Sequence, residues 1–134
     1  MHKNSPIAVW RMQKSVYRLE GVQCDACNAL YFPRKYRCIC SSMRFSPYQF
    51  SGKAQLVSFS EVVVLPIDFA NQSPYCIGLV RLEEGPLILT QLADVKLGDL
   101  SAGKSMVAVF RRYFAAGHQG MIFYGVKFAP AELI

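Results

Sequence analysis

A chain of 134 residues holds enough material for one compact unit or two very small ones. Its hydrophobic fraction of 52% excludes a disordered chain, and no apolar run reaches the ~18 residues that a membrane helix needs. The net charge of +6 is lopsided: residues 1–53 carry nine basic and two acidic side chains (+7), residues 54–134 six basic and seven acidic (−1). An anionic partner would therefore be drawn to the front of the chain.

In chain order, Met1 to Ser5 lead into a mixed apolar and basic segment with no continuous apolar core. That does not read as a secretory signal, so a cytoplasmic location is expected. Residues 6–16 predict a short helix, with Pro6 tolerated in its first turn and Ile7, Val9, Trp10 and Met12 giving apolar bulk. Trp10 suits either an interface or the chain's own barrel. From Val16 an alternating pattern predicts a strand running into Cys24.

Four of the five cysteines fall within seventeen residues: Cys24-Asp25-Ala26-Cys27 and Cys38-Ile39-Cys40. In a reducing compartment such a cluster points to a metal rather than disulfides. Ten residues separate the pairs, the out-and-back length of a zinc ribbon, and four thiolates at Cys24, Cys27, Cys38 and Cys40 would hold structural Zn²⁺. The second pair is one residue shorter than a knuckle normally has, which threatens its amide hydrogen bonds to sulfur. Asn28 and Ser41 stand where each tight turn would favour glycine. A ribbon that has lost its metal is the alternative. Redox catalysis by Cys24 and Cys27 lacks the strand–helix setting it needs.

Between the pairs, Tyr31-Phe32-Pro33 precedes the basic run Arg34-Lys35-Tyr36-Arg37. Residues 45–50 read as a connector, and Gly52-Lys53 as the start of a new unit. Strands are then predicted at 55–65, 75–82, 87–92, 105–113 and 121–128. A polar loop at 68–74, a Glu83–Pro86 turn, and a loop or helical turn at 94–103 separate the first four. Five strands without a covering helix must close to bury their faces and edges, and the long first strand favours an OB barrel over an SH3-like barrel or sandwich. The expected protein is mainly β, with a helical docking segment (1–20), a zinc ribbon (21–49) and a five-stranded OB-fold barrel (50–134).

Trp10-Arg11, Tyr17-Arg18-Leu19-x-Gly21, Cys24-x-x-Cys27, Tyr31-Phe32-Pro33, Cys38, Gly52-Lys53, Ser73-Pro74-Tyr75, Glu84-Gly85-Pro86, Gln91-Leu92 and Tyr124-Gly125-Val126-Lys127-Phe128-x-Pro130 occur in an order and spacing that carry a resemblance. The chain resembles a family of rubredoxin-like zinc ribbons followed by an OB fold, a domain of unknown function associated with acyl-CoA. The likeness covers about residues 10–130. It implies a non-catalytic partner of thiolase-superfamily enzymes. Archaeal members bridge acetoacetyl-CoA thiolase and 3-hydroxy-3-methylglutaryl-CoA (HMG-CoA) synthase of the mevalonate route; some bacterial members assist steroid thiolases, aldolases or hydratases. The family's fourth cysteine would align with Ser41, one place after Cys40.

Three functions compete on these residues. As a scaffold, the protein would dock a thiolase-like or HMG-CoA synthase-like enzyme, and Arg34, Lys35 and Arg37 would reach the phosphates of coenzyme A or acyl-CoA shared with it. Those three side chains can equally be a solvated ribbon tip. As a single-stranded nucleic-acid binder it would need positive charge on the barrel, which is at −1, and stacking roles for Tyr48, Phe50, Phe59 and Tyr75, all equally suited to the core. As an enzyme it lacks a constellation: His2 and His118 have no cysteine or serine partner, Glu61, Asp68 and Asp94 are isolated, and no phosphate loop is present. Cys76 reads as a buried small hydrophobe. Arg111 and Arg112 must face opposite sides of a strand, so one at most joins a docking patch. A homodimer through the apolar N-terminal segment is a further expectation; a membrane partner is not.

Overall fold

The structure, a computed structural model, describes residues 6–11, 17–64, 75–115 and 122–133. Helix α1 spans Pro6–Arg11; the rest of the expected helix lies outside the described residues. Ile7 and Trp10 are 63% and 68% exposed, so Trp10 is not part of the barrel core. The strand expected from Val16 is corrected. Tyr17 and Arg18 are helical, and Leu19 turns the chain with φ 52°, so alternation across that point does not mark one strand.

Three strands form the ribbon: β1 (Glu20–Cys24), β2 (Leu30–Tyr31) and β3 (Phe45–Gln49). Their order is β2-β1-β3, antiparallel throughout. The stretch read as a connector is therefore β3, and its register sets Gly21 opposite Tyr48 and Cys24 opposite Phe45. Gly21 is required, because a Cβ there would collide with the Tyr31 carbonyl oxygen and come within 2.6 Å of the Phe50 ring.

Five further strands close a barrel: β4 (Lys53–Val62), β5 (Tyr75–Leu82), β6 (Leu87–Leu92), β7 (Ser105–Ala115) and β8 (Ile122–Pro130). The order β4-β5-β6-β8-β7 returns to β4, with β6 and β8 parallel and the other pairs antiparallel. This is the OB arrangement. Its first strand is long for a reason: β4 pairs with β7 through Lys53–Gln55 and with β5 along its length, bending at a bulge between Leu56 and Ser58. The expected crossing between β6 and β7 contains one 3-10 turn, Leu97–Asp99.

Burial in β5 has a period of two: Cys76, Gly78, Val80 and Leu82 point inward. They meet Leu56, Leu92, Met106 and Phe128 in one core, where each large side chain contributes roughly 1.5–3 kcal/mol. Cys76 is 5% exposed among them, and burial pushes its thiol up, as a structural hydrophobe requires. Leu19 and Phe50 belong to the same core, and Phe50 packs edge-on against Phe32 and Tyr48. Ribbon and barrel thus share one apolar centre. Phe50 is buried and offers no stacking face, while Tyr48 and Phe59 are partly buried and pack against that core. Among the described residues no helix is long and apolar enough to cross a membrane.

Candidate metal centre and its basic rim

Two turns bring four sulfurs together. After β1, the Asn28 amide donates to the Cys24 carbonyl (2.9 Å) and the Cys24 amide to Ala29 (2.8 Å). Between β2 and β3, the Ser41 amide donates to the Cys38 carbonyl and the Cys38 amide to Ser42, both 2.9 Å. The first turn closes from residue i+4 and the second from i+3. The shorter spacing of Cys38 and Cys40 is absorbed by tightening the turn. Asn28 (φ 60°) and Ser41 (φ 69°) hold the left-handed positions, where glycine would be the unstrained choice.

The four Sγ atoms of Cys24, Cys27, Cys38 and Cys40 lie within 4.8 Å of one another, with Cys27 and Cys38 at 3.3 Å and Cys24 and Cys40 at 3.6 Å. A tetrahedron with metal–sulfur bonds of about 2.3 Å has edges of about 3.8 Å, so the cluster has the dimensions of a four-thiolate site. Cys24 and Cys38 are buried; Cys27 and Cys40 face outward. The amide hydrogen bonds feared lost in the short pair are kept: the Cys40 amide reaches Cys38 and the Ser42 amide reaches Cys40. Equivalent bonds run from the Cys27 and Ala26 amides to Cys24.

The Tyr31 hydroxyl lies 3.3 Å from the Cys38 sulfur. That contact, followed by the Cys40 amide, lowers the Cys38 thiol to about 6. Cys27 moves the other way, to about 12, because hydrogen bonding with Cys38 and Cys40 together with burial outweighs the lowering by the Ala29 amide. Four crowded thiols cannot all ionise without a cation, and a divalent metal would take the place of their protons. Tyr31 was visible in sequence as part of Tyr31-Phe32-Pro33, but nothing there pointed it at a sulfur.

The basic run lies beside this cluster. Arg34, Lys35 and Arg37 are all exposed. Arg34 sits 5.5 Å from the centre of the Tyr36 ring and the Lys35 ammonium 4.5 Å from that of Tyr31. Arg34 shares a shallow hollow with Arg11, Glu20 and Val22, which Lys35 and Arg37 do not line. Arg11 stands in the Trp10-Arg11 motif, but its place beside Arg34 is not legible in sequence, because only the fold brings α1 to the ribbon. On the barrel, Arg111 is paired with Asp94 at 3.2 Å and Arg112 is exposed.

Comparison with known proteins agrees with this fold. Residues 48–111 match the family model described as ChsH2, C-terminal OB-fold domain. A DUF35 domain-containing scaffold protein of Methanocaldococcus jannaschii is 42% identical over 127 residues, covering 92% of this chain and 89% of that protein. Those of Pyrococcus furiosus and Methanothermobacter thermautotrophicus are 38% and 32% identical, over 90% and 92% of this chain and 89% and 95% of their own lengths. In the solved structure titled Ltp2-ChsH2(DUF35) aldolase, one chain superposes with a TM-score of 0.72 at 22% identity, over 98% of this chain and 97% of that one. At that identity the likeness speaks for the fold. With relatives this similar over nearly the whole length, the chain belongs to the DUF35 domain-containing scaffold protein family.

Proposed function

We propose that this protein is a non-catalytic scaffold subunit of a thiolase-superfamily acyl-CoA enzyme complex. One observation carries the reading: 42% identity across 92% of the chain to a protein described as a scaffold. In this reading residues 1–20 are a docking segment, 21–49 a zinc ribbon and 50–134 an OB body. The four-thiolate dimensions of Cys24, Cys27, Cys38 and Cys40 suit Zn²⁺, which when bound supplies folding energy rather than chemistry. In the same reading Arg34, Lys35 and Arg37 meet coenzyme A phosphates presented by the partner, which their exposure on the basic part of the chain supports.

Single-stranded nucleic acid is the weaker reading. Strands β5 and β6, the usual oligonucleotide platform of an OB fold, hold one charged residue, Arg81, and one aromatic, Tyr75. Purification of the native complex tests the proposal: a thiolase-like or HMG-CoA synthase-like enzyme should co-elute. Recovery as a bare monomer would undermine it. Within such a complex, Arg34→Ala with Lys35→Ala should weaken acyl-CoA binding or turnover, and unchanged kinetics would remove the coenzyme A role.

A further inference from the structure

The outer face of the barrel opposite its core has a pattern that the metal centre and basic rim leave unused. In β5 the inward side chains leave Ile77, Leu79 and Arg81 pointing outward. In β6, Leu87 and Leu89 are 46% and 71% exposed, while Ile88 between them packs on the core. The register sets Leu79 directly between Ser58 and Leu89, and the β4 bulge leaves Val57 40% exposed beside that row. One row further along, Arg81 stands between Gln55 and Leu87. A cleft of 580 Å³ opens there, lined by Lys53, Gln55, Arg81, Glu83 and Ser105. An uncharged apolar row therefore borders a cleft with two cations.

We infer that this face docks a segment of the partner enzyme in which apolar side chains stand next to a carboxylate, the apolar groups on Val57, Leu79 and Leu89 and the carboxylate between Lys53 and Arg81. The inference rests on the scaffold reading and deepens it by assigning the surface. Adjacent outward rows of a sheet are about 6.8 Å apart, a spacing matched by residues i and i+2 of a docked strand, or nearly by i and i+4 of a helix. Charge selects against a second copy, since the cleft holds two cations, Lys53 and Arg81, and one acid, Glu83, so a copy of the same face supplies too few carboxylates to match it. Charge also selects against nucleic acid, whose backbone would require cations along the row, where Leu79 and Leu89 stand.

The test measures binding of the full chain to the acyl-CoA enzyme that co-elutes with it, by calorimetry at about 50 and 300 mM salt. Leu89→Asp should weaken binding about tenfold or more at both salts, as loss of an apolar anchor does. Lys53→Glu with Arg81→Glu should weaken it at low salt and abolish the salt dependence of the parent. Circular dichroism and melting of each variant confirm the fold, which substitution of exposed side chains leaves intact. Parental binding by both variants overturns the docking face while the scaffold reading stands, because the parent still binds. No binding by the parent overturns both. Self-association of the chain that Leu89→Asp abolishes also overturns it, by naming a second copy as the occupant.

Discussion

The Glu84 carboxylate accepts the Ser51 backbone amide at 2.8 Å, fastening the passage from ribbon to barrel onto the β5–β6 turn. The turn itself is set by Gly85 at φ 120°, whose amide donates to Leu82. Glu84 thus holds together two parts of the chain 33 residues apart. Its removal by Glu84→Ala leaves the Ser51 amide without this acceptor and should cost about 1.5 kcal/mol.

That contribution depends on pH. Burial pushes the Glu84 carboxyl up, but the Ser51 amide, its own amide and the Ser51 hydroxyl outweigh burial and hold it below its ordinary 4.5. A folded-state value below the unfolded one means that the stabilisation is complete above the unfolded value and is lost as pH falls through the folded one. Urea unfolding of parent and Glu84→Ala should therefore show a gap at neutral pH that narrows toward about pH 3. A gap of equal size at both would show that the carboxylate charge has no part in it.

Gly21 tests the contact between the ribbon and the shared core. An added methyl meets a backbone carbonyl, which cannot move aside as a side-chain end can, and the Phe50 ring lies behind it. Gly21→Ala should lower stability by about 3 kcal/mol, read as a fall in the denaturant midpoint. A variant as stable as the parent would mean that β1 does not rest on Tyr31 and Phe50 as described.

The barrel was legible in sequence where the ribbon was only partly so, and the reason is physical. β5 and β6 announce themselves because Cys76, Val80, Leu82 and Leu92 alternate with outward residues between turn signals, a period that one buried face imposes. β3 hides: Phe45-Ser46-Pro47-Tyr48-Gln49 contains a proline and three exposed residues, and it becomes a strand only because β1 supplies its hydrogen-bond partners. The cysteines could be grouped by spacing, yet how a shorter pair still turns depends on φ at Ser41, which spacing does not encode. Likewise the apolar row of Val57, Leu79 and Leu89 needs the register of three strands before it exists as a surface.

Ser41 carries its own prediction. A left-handed φ of 69° costs a side-chain-bearing residue energy that glycine does not spend. Ser41→Gly should stabilise the metal-loaded protein by about 1 kcal/mol and slow metal loss to a competing chelator. Asn28→Gly should gain less, because asparagine tolerates this region better. A loss of stability in Ser41→Gly would show that the serine side chain supports the turn in a way its backbone geometry does not require.

Metal removal should separate the two halves of the molecule. The ribbon sheet has strands of five, two and five residues, and its buried side chains include the thiols Cys24 and Cys38 themselves, so without a cation it lacks the apolar mass to hold its shape. The barrel keeps Leu56, Val80, Leu82, Met106 and Phe128, all below 2% exposed. Chelation under reducing conditions should therefore abolish amide protection in β1–β3 while β5 and β8 stay protected. Serine at Cys24, Cys27, Cys38 or Cys40 should reduce the bound metal seen by native mass spectrometry. Cys76→Ser should leave metal content unchanged and instead weaken the barrel by about 1–2 kcal/mol, since its hydroxyl would be buried in an apolar core. If chelation left β1–β3 protected, packing against Phe50 and Leu19 would have to be sufficient for the ribbon, and the cluster would then be a site that the fold tolerates rather than one it needs.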